Sequence, residues 1–233
     1  SSDLEFRMVG SSDSISSPNV VLNTIAAEAF KEAADILEKA EDFDTAVHDM
    51  IKEQLAAHRR IIFNGNGYAD AWVEEAEMRG LPNIKSMVEA IPALTTEASV
   101  RMFEAFNVFT KAELESRVEI EYEAYSKAIN IEARTMIDMA GKQIIPAAVK
   151  YATMLADSLS KVQTACPDAD VSVQAELLTE TSAYLSDMKV ALANLTDVTE
   201  KCGIIENNKE QANAYHDIVV PAMEALRAPA DKL

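Results

Sequence analysis

Glycine and proline are scarce, 6 and 7 among 233 residues. Sheet proteins use both freely at turns, so the shortage points away from a β-rich fold and toward an all-α one. Cysteine is scarcer still. Cys166 and Cys202 stand far apart with no CxxC spacing, which removes the disulfide-stapled classes and fits a reduced, cytoplasmic protein. Positive charge is in deficit, with 21 Lys and Arg against 39 Asp and Glu, a formal net charge of −18. Such a field repels phosphate backbones and anionic lipid, so neither nucleic acid nor a membrane surface is an expected partner. No run of about 18 apolar residues is present to span a bilayer. The acidic start Ser1-Ser2-Asp3-Leu4-Glu5 has no signal-peptide core, and the missing initiator Met leads us to expect a trimmed or partial product.

What is present is helical periodicity, backed by 48% hydrophobic residues, enough for a sizeable core. From Pro18 onward, Leu22, Ile25, Ala26, Ala29, Phe30, Ala33 and Leu37 step by three and four, the signature of one apolar helix face. A second helix carries Val47, Met50, Ile51, Leu55, His58 and Ile62 and stops at Asn64-Gly65-Asn66-Gly67. A shorter helix over about 71–79 ends at Gly80 with Pro82 beyond, and two short segments follow near 84–90 and 97–106. Thr110-Lys111-Ala112-Glu113 is a capping box that opens the dominant element, which runs to Cys166-Pro167 with a kink expected at Pro146. Within it, residues 117–124 also alternate with period two. The capping box before them and the lack of a turn after them favour helix. Asp170 is placed to cap a second long helix that ends at Gly203, and the short link predicts an antiparallel hairpin. A last helix spans about 208–220, bent at Pro221. The expected fold is therefore an all-α, multi-helix array with a long antiparallel hairpin. Its domains divide as 1–17, 18–109 and 110–233.

One segment departs from this pattern. Leu4-Glu5-Phe6-Arg7-Met8-Val9 alternates as a short strand does, ahead of the serine-rich loop over 10–17. An isolated strand has nothing in this chain to pair with. Glu5 and Arg7 project to the same side of such a strand. A hard carboxylate oxygen suits a divalent cation, and a guanidinium fork suits a carboxylate or phosphate. Taken alone, the two residues read equally as an exposed salt pair.

The other candidates read as structural. His48, His58 and His216 form no HExxH, and neither cysteine has a basic partner nearby in sequence. The Asn64–Gly67 segment lacks the GK[ST] of a phosphate loop. Met136, Met139 and Met154 are expected as core or hairpin contacts. Glu113, Glu115, Glu119, Glu121 and Glu123 form a solvated face.

The stretch from Leu4 to Asn19 resembles the end of the catalytic domain of glutamine synthetases. Its Ser-Pro-Asn loop is similar to that of the large type III branch. Val47–Glu53, His58–Tyr68 and Ile129–Ala140 are similar to the same branch, so the resemblance covers essentially the whole chain. It implies an ATP-dependent ligase that joins ammonia to glutamate through a γ-glutamyl phosphate, with Mg²⁺ or Mn²⁺ beside the nucleotide. It implies that Glu5 ligates metal and that Arg7 contacts substrate or transferred phosphoryl. It implies ring-shaped homo-oligomers, and partners in the remainder of the synthetase polypeptide. The rest of the active site is expected outside this chain, so no cofactor is expected on it alone, and Ser1-Ser2-Asp3 departs from the family's lead-in. The competing expectation is a non-catalytic helical interaction or oligomerisation module.

Overall fold

The computed structural model describes residues 14–233. The expected strand, with Glu5 and Arg7, and the start of the serine-rich loop lie outside the described residues. Every regular element among the described residues is helical. The chain divides into two compact units, Ser1–Glu115 and Ser116–Leu233.

The first unit holds α1 (Ser16–Leu37), α2 (Phe43–Ala57), α3 (Asp70–Met78), α4 (Met87–Ala90) and α5 (Glu97–Ala105). The start of α6 (Lys111–Met139) also belongs to it. Its helices are short and depend on their ends. Asp42 accepts from the Thr45 hydroxyl at 2.7 Å, and the Thr96 hydroxyl accepts the Ser99 amide at 3.2 Å. At α6 the capping box is built as expected: Thr110 Oγ accepts the Glu113 amide at 3.3 Å while Glu113 takes the Thr110 amide at 2.8 Å. Two helices close with a left-handed residue. At α3, Leu81 donates to Ala76 and Gly80 to Glu77, with Gly80 at φ 69°. At α5, Val108 donates to Phe103 and Asn107 to Glu104, with Asn107 at φ 52°. Both ends satisfy carbonyls that a bare terminus would leave open.

The core of this unit is Met102, Phe103 and Leu114, against which Val20, Val21, Phe106 and Phe109 pack. Here the helix periodicity and the packing disagree. The apolar face read from the sequence of α1 is not the buried one. The helix turns Val20, Val21 and Thr24 inward, with Thr24 Oγ donating to the Val20 carbonyl at 2.7 Å. Leu22, Ile25 and Phe30 stay exposed, Phe30 at 77%. Nor does α2 bury any residue, and His58, expected on its apolar face, caps its C-terminus in solvent.

In the second unit α6 continues through a π-helical turn (Ala140–Ile144) into α7 (Ile145–Ala165), an unbroken helical stretch of 55 residues. The period-two run over 117–124 is helix throughout. A tight link leads to α8 (Ser172–Gly203), then α9 (Asn208–Ala214), a second π-helical turn (Tyr215–Val219) and α10 (Val220–Ala230). Asp170 accepts the Ser172 amide at 2.9 Å, so it supports the start of α8 from two residues before it. Gln211 Nε2 reaches the Cys202, Gly203 and Ile205 carbonyls at 3.3, 3.3 and 2.9 Å, capping the other end.

The feature expected as a kink at Pro146 is the π-turn, and the last helix likewise runs on past Pro221 to Ala230. At both prolines the preceding residue donates five residues back, Ile145 to Ala140 and Val220 to Tyr215. A proline in regular helix clashes with the carbonyl four residues earlier and leaves it without a donor. One extra residue in the turn widens the ladder and relieves both problems.

The extra residue also sets the packing phase. On α8 the buried residues Thr181, Met188, Leu195 and Cys202 recur every seventh position. On the long helix Ser126, Ala133 and Ala140 recur every seventh, then Ala148 and Leu155 do so again. The step of eight from Ala140 to Ala148, between these two runs, spans the π-turn. A seven-residue repeat keeps one seam facing a neighbouring helix. Small residues on one side, Ala133 and Ala140, join Met188 and Leu195 on the other in the core that Tyr215, Val219, Ala222 and Leu226 complete. Leu195→Ala should therefore lower unfolding free energy by about 2–5 kcal/mol in urea titrations. Val190→Ala, on the exposed side of the same helix, should stay within about 0.5 kcal/mol of the parent.

Candidate functional site

Among the described residues, the polar side chains most tightly organised by tertiary contacts surround the turn expected at Asn64–Gly67. A 3₁₀ turn (Arg59–Ile61) precedes it and α3 follows. Asn66 Oδ1 accepts the Tyr68 amide at 3.0 Å, fixing the reversal. Phe63 and Trp72, on either side of the turn, stack with ring centroids 3.9 Å apart. Arg79 lies over both rings, 5.3 Å from the Trp72 centroid, and donates to the carbonyls of Arg60 and Ile62 at 3.2 and 3.0 Å. Glu75 pairs with its other nitrogen. A guanidinium carries donors enough for two carbonyls and a carboxylate while its face stacks on a ring. The turn is thus a pinned corner. Its organising cation, Arg79, was not singled out from the sequence, because its partners lie 17 and 19 residues away.

Beside the first π-turn, a groove of about 610 Å³ is lined by Asp138, Gly141, Lys142, Lys189, Thr196 and Glu200, among others. Its chemistry is that of a solvated helix surface. Lys142 pairs with Asp138, and Lys201 nearby with Asp197, each within one helix turn. No buried side-chain nitrogen or oxygen among the described residues lacks a hydrogen-bond partner. A preformed polar ligand site ordinarily leaves such groups waiting, and this groove does not.

The remaining candidates fall into place one by one. His48 and His216 each lie beside the next residue's carboxylate, Asp49 at 3.3 Å and Asp217 at 2.7 Å. Cys166 is exposed and Cys202 buried, both free thiols. Met136 packs against the core, whereas Met139 and Met154 are exposed. On the glutamate face, Glu115 pairs with Lys111 at 3.6 Å, Glu123 with Lys127 at 2.6 Å, and Glu119 accepts from Asn208 at 3.0 Å. Among the described residues no group of three or more His, Cys, Asp or Glu is arranged to hold a metal ion. No helix among them is long and apolar enough to cross a membrane. Glu5 and Arg7 lie outside the described residues.

Two kinds of titrating group shift: surface groups in local hydrogen bonds, with Lys31 raised by Asp35 and Asp35, Asp42 and Asp170 lowered by Lys31, Thr45 and Ser172, and desolvated groups of the second unit. Burial pushes the Cys202 thiol above its ordinary 9.0, and burial pushes Tyr122, Tyr125 and Tyr215 above 10.0. These are groups held in their protonated form by desolvation.

A sequence model of the glutamine synthetase C-terminal domain matches residues 46–163, from α2 through nearly all of α7. The type-3 glutamine synthetase of Dictyostelium discoideum is 31% identical over 98% of this chain and 32% of its own length. The glutamine synthetase of Butyrivibrio fibrisolvens is 36% identical over 80% of this chain and 27% of its own. That of Bacteroides fragilis (strain YCH46) is 32% identical over 98% of this chain and 32% of its own. The chain thus spans about a third or less of the length of the curated relatives it matches, as a C-terminal part of them.

Two predictions follow from the corner and the core. Arg79→Lys keeps the charge but loses the fork and most of the stacking, and should cost about 1–2 kcal/mol of stability. Trp72 is the sole tryptophan, so its emission should shift to the red in the same variant. Because Cys202 and the three tyrosines hold their protons longer folded than unfolded, the stability that these four groups contribute should be complete below pH 9. It should fall as the pH rises through 9 and above 10, as alkaline urea titrations would show. Cys202→Ala should remove the earliest part of that decline.

Proposed function

The chain belongs to the glutamine synthetase C-terminal domain family, and from that membership we propose that it works as the C-terminal part of a type III glutamine synthetase. In this reading the whole polypeptide is an ATP-dependent glutamate–ammonia ligase acting in the cytoplasm through a γ-glutamyl phosphate. The observation that carries the proposal is the joint match to relatives over 98% of this chain and only 32% of their own lengths. A segment aligned almost end to end inside proteins three times longer is a part whose activity depends on the whole.

Within that reading Glu5 supplies one carboxylate to the divalent cation, Mg²⁺ or Mn²⁺, and Arg7 contacts substrate or the transferred phosphoryl group. One carboxylate is not a metal site, and the described residues contribute no further cluster. The other ligands, with the ATP and glutamate sites, come from the preceding part of the polypeptide. Charge supports the same division. ATP and glutamate are anions, and a chain of net charge −18 gives them no attractive field of its own. Several of its lysines, moreover, are engaged locally: Lys31–Asp35, Lys161–Asp157 and Lys201–Asp197 are all pairs one helix turn apart. The helical region then serves to brace the catalytic part and to assemble copies into a ring. The competing reading, a non-catalytic interaction module, shares the helices but not the chemistry.

The test is a glutamine assay with ATP, Mg²⁺, glutamate and ammonia. The complete polypeptide should form glutamine, and the 233-residue chain should not. In the complete enzyme Glu5→Gln should raise the Mg²⁺ concentration needed for half-maximal rate. An unchanged Mg²⁺ dependence would remove Glu5 from the metal site, and turnover by the 233-residue chain would overturn the division of labour.

A further inference from the structure

The pinned corner carries the same dipeptide twice, Asn64-Gly65 and Asn66-Gly67. An asparagine followed by glycine is chemically unstable in water. The next main-chain nitrogen can reach the side-chain carbonyl carbon, because no Cβ on the following residue stands in the way. All four residues are exposed, so water and hydroxide have access to both pairs. The fold nevertheless treats the two pairs differently. Asn66 is held twice: its Oδ1 accepts the Tyr68 amide at 3.0 Å, and its main-chain carbonyl accepts the Ala69 amide at 3.2 Å. Among the described residues, nothing hydrogen-bonds to the Asn64 carboxamide, and the Gly65 amide has no acceptor.

We propose that Asn64 is a site of spontaneous deamidation, selected over Asn66 by the hydrogen bonding of the turn, and that its isoaspartate product loosens the Arg79 corner. Hydroxide takes the Gly65 amide proton, and the nitrogen attacks Cγ of Asn64. The new C–N bond closes a succinimide ring as the bond from Cγ to Nδ2 breaks, and ammonia leaves with a proton taken from water. Water then opens the ring, giving its hydroxyl to carbon and its proton to nitrogen. Addition at Cγ breaks the bond just formed and leaves aspartate. Addition at the main-chain carbonyl breaks the original peptide bond and leaves isoaspartate, whose chain runs through Cβ and Cγ and is one carbon longer. Asn66 must first break its bond to Tyr68 to reach the same geometry, and an ordinary net hydrogen bond slows such a step by about fivefold.

The corner has no room for the longer chain. A Cβ on Gly65 would stand 2.6 Å from Phe63 Cζ, so the main chain there lies against the ring. That ring stacks on Trp72 with centroids 3.9 Å apart. Arg79 lies over both rings while it holds the carbonyl of Ile62, just ahead of Phe63. An extra carbon between Phe63 and Gly65 pushes ring and main chain apart and opens the stack. This chemistry is independent of the ligase reading.

The test ages the 233-residue chain and the complete polypeptide in mildly alkaline buffer, each folded and in urea. Peptides covering the turn are separated by chromatography, which resolves isoaspartate from aspartate, and are followed by mass. Each conversion adds about one mass unit, and fragmentation assigns it to residue 64 or 66. Buried Cys202 resists alkylation while the chain is folded and so marks the folded samples. In the folded samples Asn64 should convert at least about fivefold faster than Asn66. In urea the two rates should draw together. Trp72 emission should shift to the red at the rate of isoaspartate formation. Asn64→Gln should abolish that shift, and Asn66→Asp, which keeps the acceptor for the Tyr68 amide, should leave it. Equal rates in the folded samples, a faster Asn66, or conversion confined to urea would each overturn the selection of Asn64. An unshifted Trp72 emission once isoaspartate has formed would overturn its link to the corner.

Discussion

The second unit depends on keeping one seam in phase along an unbroken 55-residue helical stretch that contains a proline. At about 1.5 Å per residue it extends for roughly 80 Å, and its buried positions must meet those of α8 before and after Pro146. A seven-residue repeat in a gently supercoiled pair preserves that facing, whereas a regular helix forced past a proline breaks hydrogen bonds and bends. The π-turn at Ala140–Ile144 resolves both demands with one inserted residue. It relieves the ladder where the amide is missing and moves the seam from Ala140 to Ala148. The second π-turn, before Pro221, repairs the ladder in the same way, with Val220 donating to Tyr215. That solution leaves Tyr215 and Val219 inside the core against Met188 and Leu195, so the repair and the packing are the same local event.

The first unit is held differently. No long seam runs through it. Short helices are fixed at their ends by Asp42, Thr96 and Thr110, by the left-handed Gly80 and Asn107, and by the corner under Arg79. Each such device contributes on the order of 1 kcal/mol. The small cluster around Phe103 supplies the remainder. An element held mostly by its ends leaves its faces available, and α2, capped by Asp42 and burying no residue, shows this most plainly.

This contrast explains how much was legible in the sequence. The hairpin was, because a long run at helical spacing, a capping box and a short link each act locally and agree with one another. The π-turn was not, since a proline announces that the ladder is broken without saying whether the chain bends or gains a residue. On α1 the periodicity marks an apolar face, and the structure leaves Leu22, Ile25 and Phe30 on it exposed. Periodicity identifies the side that water disfavours. It carries no information about whether the cover lies on the same polypeptide segment. The Arg79 corner escaped notice for a related reason, as its contacts join residues 17 and 19 apart that share no helix face.

The chemistry is legible to a different degree. Nothing in spacing or charge raises Glu5 and Arg7 above an exposed pair; only resemblance to a family gives them roles. The physical reason is that an active site assembled from many segments leaves each segment with one or two polar residues. The remaining residues of a contributing segment are selected for folding, and they look like it. Here the folding residues dominate: an acidic exterior several of whose lysines pair along their own helices, and a core whose shifted groups are desolvated tyrosines and a thiol. A surface of that kind repels anionic substrates as effectively as it keeps the chain soluble. In the reading proposed above, the cations that would meet phosphate and glutamate come from another part of the polypeptide.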